Sequence, residues 1–249
     1  MRYLTRIMTA ACLCIAVAAP TLADDVEPIT LKAADGVVIH GVYYKAPHPK
    51  ALILLFHQAG SGKGEYAAIA PRLVSAGYSA MAIDQRSGGT LFGTNETVAA
   101  LSKSADYLEA KPDLEAALAW GVIQKLPIAI WGSSYSSSLV FVVAAEHPDL
   151  VKAVLAFSPG EYFDDKTLIR NAAKKVTVPV FVTSANTPDE INAARDILAA
   201  SPSATKVQYI PRAGGVHGSS TLLPGRNQAG AEANWSAVLQ FLGKAFPMP

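Results

Sequence analysis

Short apolar runs alternate with segments of helical spacing along most of this chain, and this alternation restricts the fold more than any other feature. Continuous apolar runs are typical of strands that are buried on both faces of a sheet. Strands are predicted at residues 51–57, 78–84, 128–131, 151–159, 179–185 and 206–212. Helices are predicted at residues 66–76, 112–124, 136–148, 191–200 and 231–246. Strands that alternate with helices predict an α/β fold, with a mostly parallel sheet covered by helices on both faces.

The segment before these runs has a different pattern. Residues 29–44 alternate apolar and polar side chains on both sides of Asp35-Gly36. Asp-Gly between two alternating runs is a strong hairpin signal. We therefore predict an N-terminal antiparallel hairpin at one edge of the sheet.

The first residues resemble an export signal. Arg2 and Arg6 precede an apolar run over residues 7–19, and Ala23 precedes an acidic pair. This order predicts a signal peptide over residues 1–23, cleaved after Ala23, and a periplasmic or secreted protein. An uncleaved anchor is the less favoured alternative, because the run is shorter than the roughly 20 residues of a membrane span. Residues 24–249 are predicted to form one domain without a stable membrane span.

Composition excludes several classes of function. Cys12 and Cys14, the two cysteines of the chain, both lie in the predicted leader, which leaves no cysteine nucleophile or cysteine metal site in the mature chain. The formal net charge is +1, and no basic stripe is visible, which argues against nucleic acid as a partner. No histidine–carboxylate spacing suggests zinc, and nothing in the sequence reports the oligomeric state.

A serine-rich stretch joins the predicted strand at 128–131 to the helix that follows. Its residues Gly132-Ser133-Ser134-Tyr135-Ser136 resemble the G-x-S-x-G nucleophile elbow, a sharp turn that lifts a serine hydroxyl above the sheet. Only Ser134 has a glycine two residues before it, so Ser134 is the predicted nucleophile. Ser136 stands where the motif has its second glycine. The alternative is a polar loop whose serines only cap a helix.

A serine nucleophile needs a base, and His217 fits that role best. It lies in the glycine-rich stretch 213–218, directly after the last predicted strand, where the carboxyl ends of parallel strands bind ligands. The other histidines lie in a hairpin strand, a proline-flanked turn, a strand end and a helix end: His40, His48, His57 and His147.

The acid that orients the histidine is predicted to follow the strand at 179–185. Thr187 fits a helix N-cap and Glu190 its capping-box partner three residues on. This gives Glu190 a structural role, so Asp189 is the first choice for the acid and Glu190 the second. Glu161 and Asp164, one strand earlier, remain possible.

Two backbone amides are predicted to stabilise an oxyanion. One is the N–H of Tyr135, directly after the nucleophile, and the other is the N–H of Gln58, in the turn after the first core strand. His57 is expected to shape that turn. His57, Glu161 and Tyr162 are candidates for the substrate cleft, although the last two could equally belong to an ordinary loop.

These motifs together resemble the α/β-hydrolase superfamily, and in size its dienelactone-hydrolase-like and carboxylesterase members. The resemblance rests on residues 57–60 (HQAG), residues 84–89 (DQRSGG), the elbow, and the order Ser134, Asp189, His217. Within this resemblance Asp84 and Arg86 belong to a structural turn. Dienelactone hydrolases use a cysteine nucleophile, which the predicted mature chain lacks.

The resemblance implies acyl transfer to water through an acyl-enzyme on Ser134, without metal or cofactor. No long lid insertion is visible, so a small accessible ester, thioester or amide is the expected substrate, and a carboxylesterase the expected class. A peptidase or acyltransferase could use the same residues. A non-catalytic binding module on the same fold is the alternative from a different class.

Overall fold

The computed structural model describes residues 26–247, which form one eight-stranded sheet with helices on both faces. The predicted signal peptide, its cleavage after Ala23 and both cysteines lie outside the described residues. Across residues 26–247, no helix is long and apolar enough to cross a membrane.

The elements follow the alternation that the sequence predicts. The strands are β1 (Val26–Lys32), β2 (Val38–Tyr44), β3 (Leu52–Phe56), β4 (Ser79–Ile83), β5 (Ile128–Ser133), β6 (Val151–Phe157), β7 (Val180–Thr183) and β8 (Lys206–Tyr209). The helices are α1 (Ala70–Ser75), α2 (Glu96–Leu101), α3 (Lys111–Ile123), α4 (Tyr135–Glu146), α5 (Leu168–Ala173), α6 (Pro188–Ala200) and α7 (Ala231–Ala245).

The sheet is antiparallel at one end and parallel elsewhere. Its strand order is β1-β2-β4-β3-β5-β6-β7-β8. β1 pairs with β2 in an antiparallel register from Val26 opposite Tyr44 to Lys32 opposite Val38, and β2 also runs antiparallel to β4. All the remaining pairs are parallel. The predicted fold class and the N-terminal hairpin are therefore confirmed.

Two apolar layers hold the central strands. Buried side chains of α3, α4, α5 and α6 cover one face of the sheet, and those of α1 and α7 cover the other. Successive residues of a strand point to opposite faces, so Ile130 packs into the first layer and Trp131 into the second. Trp131 stacks on Phe157 of β6 with ring centroids 4.3 Å apart. Both strands that border the serine turn are thus anchored from both sides.

The structure differs from the predicted helices in three places. The helix predicted at 66–76 is a 3₁₀ turn at Lys63–Tyr66 followed by the short α1, and the Tyr66 hydroxyl donates to the Phe56 carbonyl at 2.5 Å. Helices α2 and α5 were not predicted. Each has six residues, too few for helical periodicity to be recognised.

The turn after β4 is a structural junction. Asp84 accepts hydrogen bonds from the backbone N–H of Lys63 at 2.7 Å and from its Nζ at 2.6 Å. Arg86 donates through Nη2 to Asp113 of α3 at 2.7 Å and also contacts Asp35 in the hairpin turn. These contacts join the hairpin, the sheet and α3, and they leave neither Asp84 nor Arg86 facing the serine turn.

Candidate active site

Ser134 occupies a strained position between β5 and α4. Its backbone has φ 58° and ψ −124°, a region that residues other than glycine seldom adopt and that costs about 1–3 kcal/mol. Its N–H donates to the Phe157 carbonyl on the neighbouring strand at 2.8 Å, which holds the turn against the sheet. The side chain is 8% exposed. The sequence motif therefore predicted the position of the sharp turn correctly.

Gly132 lets the strand and the helix approach each other at this turn. A Cβ atom at position 132 would lie 2.3 Å from the Ser136 carbonyl oxygen and 2.4 Å from the Cα of Ser137. These neighbours are backbone atoms of α4, which cannot move aside without opening the turn. The first glycine of the motif is thus required by close packing.

We expect Gly132→Ala to destabilise the fold by about 1–3 kcal/mol, as overpacking of a tight core does, and to reduce turnover. Thermal unfolding and an ester assay measure the two effects. Gly243→Ala on the exposed part of α7 is the control, because a Cβ there meets nothing within 4 Å. Wild-type melting and turnover in Gly132→Ala would contradict the compressed turn described here.

Ser136 stands at the second glycine position of the motif, and its hydroxyl makes hydrogen bonds that a glycine could not make. Its Oγ accepts from the N–H of Ser133 at 2.9 Å and lies 2.8 Å from the Phe56 carbonyl. The fully buried hydroxyl joins the elbow to β3. The departure from the motif is therefore compatible with the turn.

A chain of three polar side chains crosses the carboxyl end of the sheet. His217 Nε2 lies 2.8 Å from Ser134 Oγ, and His217 Nδ1 lies 2.9 Å from Glu190 Oε1. His217 belongs to the loop after β8 and Glu190 to the first turn of α6. In this arrangement the histidine can accept the serine proton while the carboxylate fixes its tautomer.

The acid in contact with His217 is Glu190 and not Asp189, our first choice. Thr187 is the N-cap of α6 and Pro188 its first residue, as predicted, but the capping box does not form. Glu190 instead accepts the N–H of Ala185 through Oε2 at 3.0 Å and turns Oε1 to the histidine. Asp189 is exposed, where its charge complements the helix N-terminus.

Glu190 is held in its charged form. Its partial burial acts to raise the pKa, but hydrogen bonds from His217, Ser158 and the Ala185 amide outweigh burial and lower the pKa below the ordinary value of a glutamate. A charged carboxylate at this position favours the imidazolium that forms when His217 takes a proton.

Ser158, at the end of β6, supports this pair and was not singled out from the sequence. It has φ 59°, and its hydroxyl accepts the N–H of Gly218, next to His217, at 2.9 Å. Ser158 therefore ties the histidine loop to the end of β6.

Gln58 cannot supply the oxyanion amide that the sequence assigned to it. Its N–H donates to Glu65 Oε2 at 2.8 Å, inside the protein. The next amide, that of Ala59, has no acceptor among residues 26–247, and neither has the N–H of Tyr135. The pair of unengaged amides at this site is therefore Ala59 and Tyr135.

His57 is fully buried and does not line a cleft, in contrast to its place among the cleft candidates. Its Nδ1 lies 2.8 Å from the Gln58 carbonyl, and its Nε2 accepts the Gln85 N–H at 2.9 Å. Because a peptide unit is planar, fixing the Gln58 carbonyl also fixes the direction of the Ala59 N–H. His57 shapes the turn, as the sequence analysis expected.

The other two cleft candidates differ in position. Glu161 accepts the N–H groups of Ile169 and Arg170 at 2.9 Å each and so caps α5. Tyr162 lines a cleft of about 680 Å³ between residues 105–108 and residues 162–165. Burial raises the pKa of Tyr162 to about 12, and the Tyr162 hydroxyl donates to the Ser158 carbonyl at 2.7 Å.

A cluster of potential metal ligands lies elsewhere on the surface. Glu115, Glu146 and His147 bring ligand atoms within 4.8 Å of one another, a cluster that the sequence analysis did not predict. Lys111 Nζ lies 2.9 Å from Glu115 and 2.5 Å from Glu146. A protein cation thus already neutralises these carboxylates.

The mixed sheet and the residues at its carboxyl edge define a member of the α/β-hydrolase superfamily. More specifically, the chain belongs to the family described as serine aminopeptidase, S33, whose sequence model matches residues 47–206. The protein is therefore a hydrolase. No curated protein matches the chain in sequence.

Solved structures share the fold at low sequence identity. A dienelactone hydrolase from Anabaena variabilis has a TM-score of 0.66 and 20% identity, over 89% of this chain and 97% of that one. An esterase from Pyrococcus furiosus has a TM-score of 0.66 and 17% identity, over 92% and 97%. Est1E from Butyrivibrio proteoclasticus, solved with ferulic acid, has a TM-score of 0.64 and 16% identity, over 88% and 99%.

Proposed function

We propose that the protein is an exported serine carboxylesterase whose nucleophile is Ser134. The observation that carries this proposal is the 2.8 Å contact between Ser134 Oγ and His217 Nε2 at a strained strand-to-helix turn. Strained backbone and a serine–histidine contact occur together where a nucleophile is held ready for attack. Export rests on the sequence of residues 1–23 alone.

The proposed reaction has two halves. Ser134 Oγ attacks the ester carbonyl while His217 Nε2 takes its proton, and the carbonyl oxygen becomes an oxyanion between the N–H groups of Ala59 and Tyr135. The intermediate collapses to an acyl-enzyme, and His217 returns the proton to the departing alcohol. Water then attacks the acyl group by the same route and releases the acid and free Ser134.

The cleft between residues 105–108 and 162–165 reaches the nucleophile turn through Tyr107 and suggests the substrate class, although Ser134 and His217 are not among its lining residues. Tyr107 stacks on Tyr135, the residue after the nucleophile, with ring centroids 4.5 Å apart, and Tyr162 forms the facing wall. Leu108 and Phe163 add apolar surface. Such a lining favours an aromatic or aliphatic group on the ester.

An amide substrate with a free amino group is the second candidate. Asp106, Asp164 and Asp165 also line the cleft, whereas no cationic side chain does, so a positively charged amine would be accepted there. The family description, serine aminopeptidase, points in the same direction. Ester and amide hydrolysis would use the same serine and histidine.

A fluorophosphonate probe and a substrate panel test the proposal. We expect the probe to label Ser134 and the label to disappear in Ser134→Ala. We also expect p-nitrophenyl esters to be hydrolysed faster than aminoacyl p-nitroanilides, and aromatic acyl groups to be accepted. Faster anilide cleavage would favour the peptidase, and absence of labelling with absence of turnover would favour a binding module.

A further inference from the structure

We propose that Glu65 is a positioning residue for acyl transfer. Its hydrogen bonds join the turn after β3, which carries the Ala59 amide, to the nucleophile elbow and, through it, to the loop that carries His217. This inference rests on the proposed function. Glu65 lies in the 3₁₀ turn after β3 and is 1% exposed. A carboxylate buried this completely is rare unless its oxygens are hydrogen-bonded.

Each oxygen of Glu65 holds a different part of the site. Oε2 accepts the Gln58 N–H at 2.8 Å, and Oε1 accepts the Ser133 hydroxyl at 2.6 Å. Ser133 directly precedes the nucleophile. Its Oγ in turn accepts the Ser219 N–H, two residues beyond His217, at 2.9 Å.

The first of these bonds acts on the oxyanion amide. Glu65 holds the N–H of Gln58, while His57 Nδ1 and the Ser61 N–H, at 2.8 and 3.3 Å, hold its carbonyl. With both sides of Gln58 fixed, the peptide that carries the Ala59 N–H has one orientation. Release of Glu65 would free one of these restraints and let the amide turn away from the oxyanion.

The second bond acts on the distance between the serine and the histidine. A Cβ atom at Gly218 would lie 2.4 Å from Ser133 Oγ, so the loop after β8 passes directly over Ser133. Glu65 fixes the Ser133 hydroxyl, and that hydroxyl supports the loop at Ser219. The carboxylate therefore contributes to the placement of His217 over Ser134 without contacting either side chain.

Protonation of Glu65 would loosen this arrangement. Burial raises the pKa of Glu65 to about 7, against hydrogen bonds from Ser133, Gln58 and Ser61 that lower it. Both carboxylate oxygens of Glu65 accept hydrogen bonds, so a proton added to either oxygen would point at a group that is itself a donor. The Gln58 amide cannot rotate, and the Ser133 hydroxyl must therefore turn away from a protonated Oε1.

Besides Glu65, the ionisable side chains that bear on these contacts are Tyr66, Tyr135, His57 and His217. Burial raises the pKa of Tyr66, in the same turn, and of Tyr135, in α4, well above the usual value, and burial lowers that of His57 at the end of β3. These three groups are neutral near pH 7. A charge on His217 favours ionised Glu65.

Lys63 is the remaining charged group of the turn. It forms ion pairs with Asp84 at 2.6 Å and with Glu96, both on the side of β4 and α2. The Lys63 ammonium is thus engaged by carboxylates other than Glu65.

The test compares Glu65→Gln with Glu96→Gln, an exposed glutamate of the same region, as control. We expect Glu65→Gln to lower kcat by about 10- to 100-fold, as small displacements of reacting groups do, with KM changed less than about twofold. Turnover is measured per serine titrated with the fluorophosphonate probe, so that unfolded protein does not count. Glu96→Gln is expected to match the wild type.

The pH profile separates positioning from a merely structural role. On the acid side, wild-type kcat/KM should include a fall of about 10- to 100-fold as Glu65 gains its proton, and Glu65→Gln should lack this component of the profile. Ser133→Ala keeps the carboxylate but removes its tie to the elbow. It should lower kcat about tenfold, and the double variant should be no slower than Glu65→Gln.

Wild-type kcat per titrated site with an unchanged acid limb in Glu65→Gln would overturn the inference. If Glu65→Gln does not fold, wild-type turnover in Ser133→Ala would overturn it instead. A wild-type protein that neither labels nor hydrolyses esters would overturn the proposed function and this inference together. An active wild type with an indifferent Glu65→Gln would overturn this inference alone.

Discussion

Ser134→Ala is expected to lose about 10⁶-fold in kcat, the effect that removal of the nucleophilic serine has in other serine hydrolases. The Ser134 hydroxyl is fixed 2.8 Å from His217 Nε2, whereas a water molecule in the variant would not be covalently held at that position. Ester hydrolysis by the purified variant measures the loss. The overall fold should be unaffected, because within residues 26–247 the Ser134 hydroxyl is hydrogen-bonded to His217, which is partly exposed, and to no core residue.

The control for Ser134→Ala is Ser236→Ala, an exposed serine of α7 whose hydroxyl donates to the Glu232 carbonyl of the same helix. It should retain wild-type turnover and fluorophosphonate labelling. Retained turnover in Ser134→Ala would mean that a different residue is the nucleophile, and mass spectrometry of the labelled wild-type protein would then identify it.

Glu190→Gln is expected to lower kcat by about 10⁴-fold, the cost of the corresponding acid-to-amide change in serine proteases. Two donors, the Ala185 N–H and the His217 Nδ1–H, each need an oxygen of residue 190. Glutamine has only one oxygen. If that oxygen stays with Ala185, the side-chain NH₂ faces Nδ1 and favours the tautomer whose Nε2 is protonated, which cannot take the serine proton.

Asp189→Asn is the matched control for Glu190→Gln, since it makes the same chemical change one residue earlier on the same helical turn. Its side chain is exposed, so turnover should stay within about twofold of the wild type. The reverse result, an inactive Asp189→Asn with an active Glu190→Gln, would return the orienting role to Asp189 and would be incompatible with the present geometry.

Much of the architecture was predictable because it depends on local pattern. The apolar runs of β3, β4 and β5 are buried on both faces and could be recognised without tertiary information. The hairpin followed from Asp35-Gly36, and the position of Gly132 placed the sharp turn at Ser134. Helices α2 and α5 were missed, because six residues do not show a period.

The sequence predicted the positions of the strand ends better than it predicted which carboxylate contacts His217 and which amide is left free. Successive residues on a helix point about 100° apart, so Asp189 and Glu190 diverge, and only the packing of the loop that carries His217 selects Glu190. The choice between the amides of Gln58 and Ala59 depends in the same way on Glu65, which folds back over seven residues to engage the first of them.

The sequence by itself determined the α/β fold, the turn that carries Ser134 and the loop that carries His217, because burial periodicity and glycine positions act within short stretches of chain. Only the tertiary structure decided which carboxylate meets the histidine, which amide is left without an acceptor, and that Glu65 lies beneath them. These depend on directions of side chains and peptide planes, which are set where separate strands and loops pack against one another.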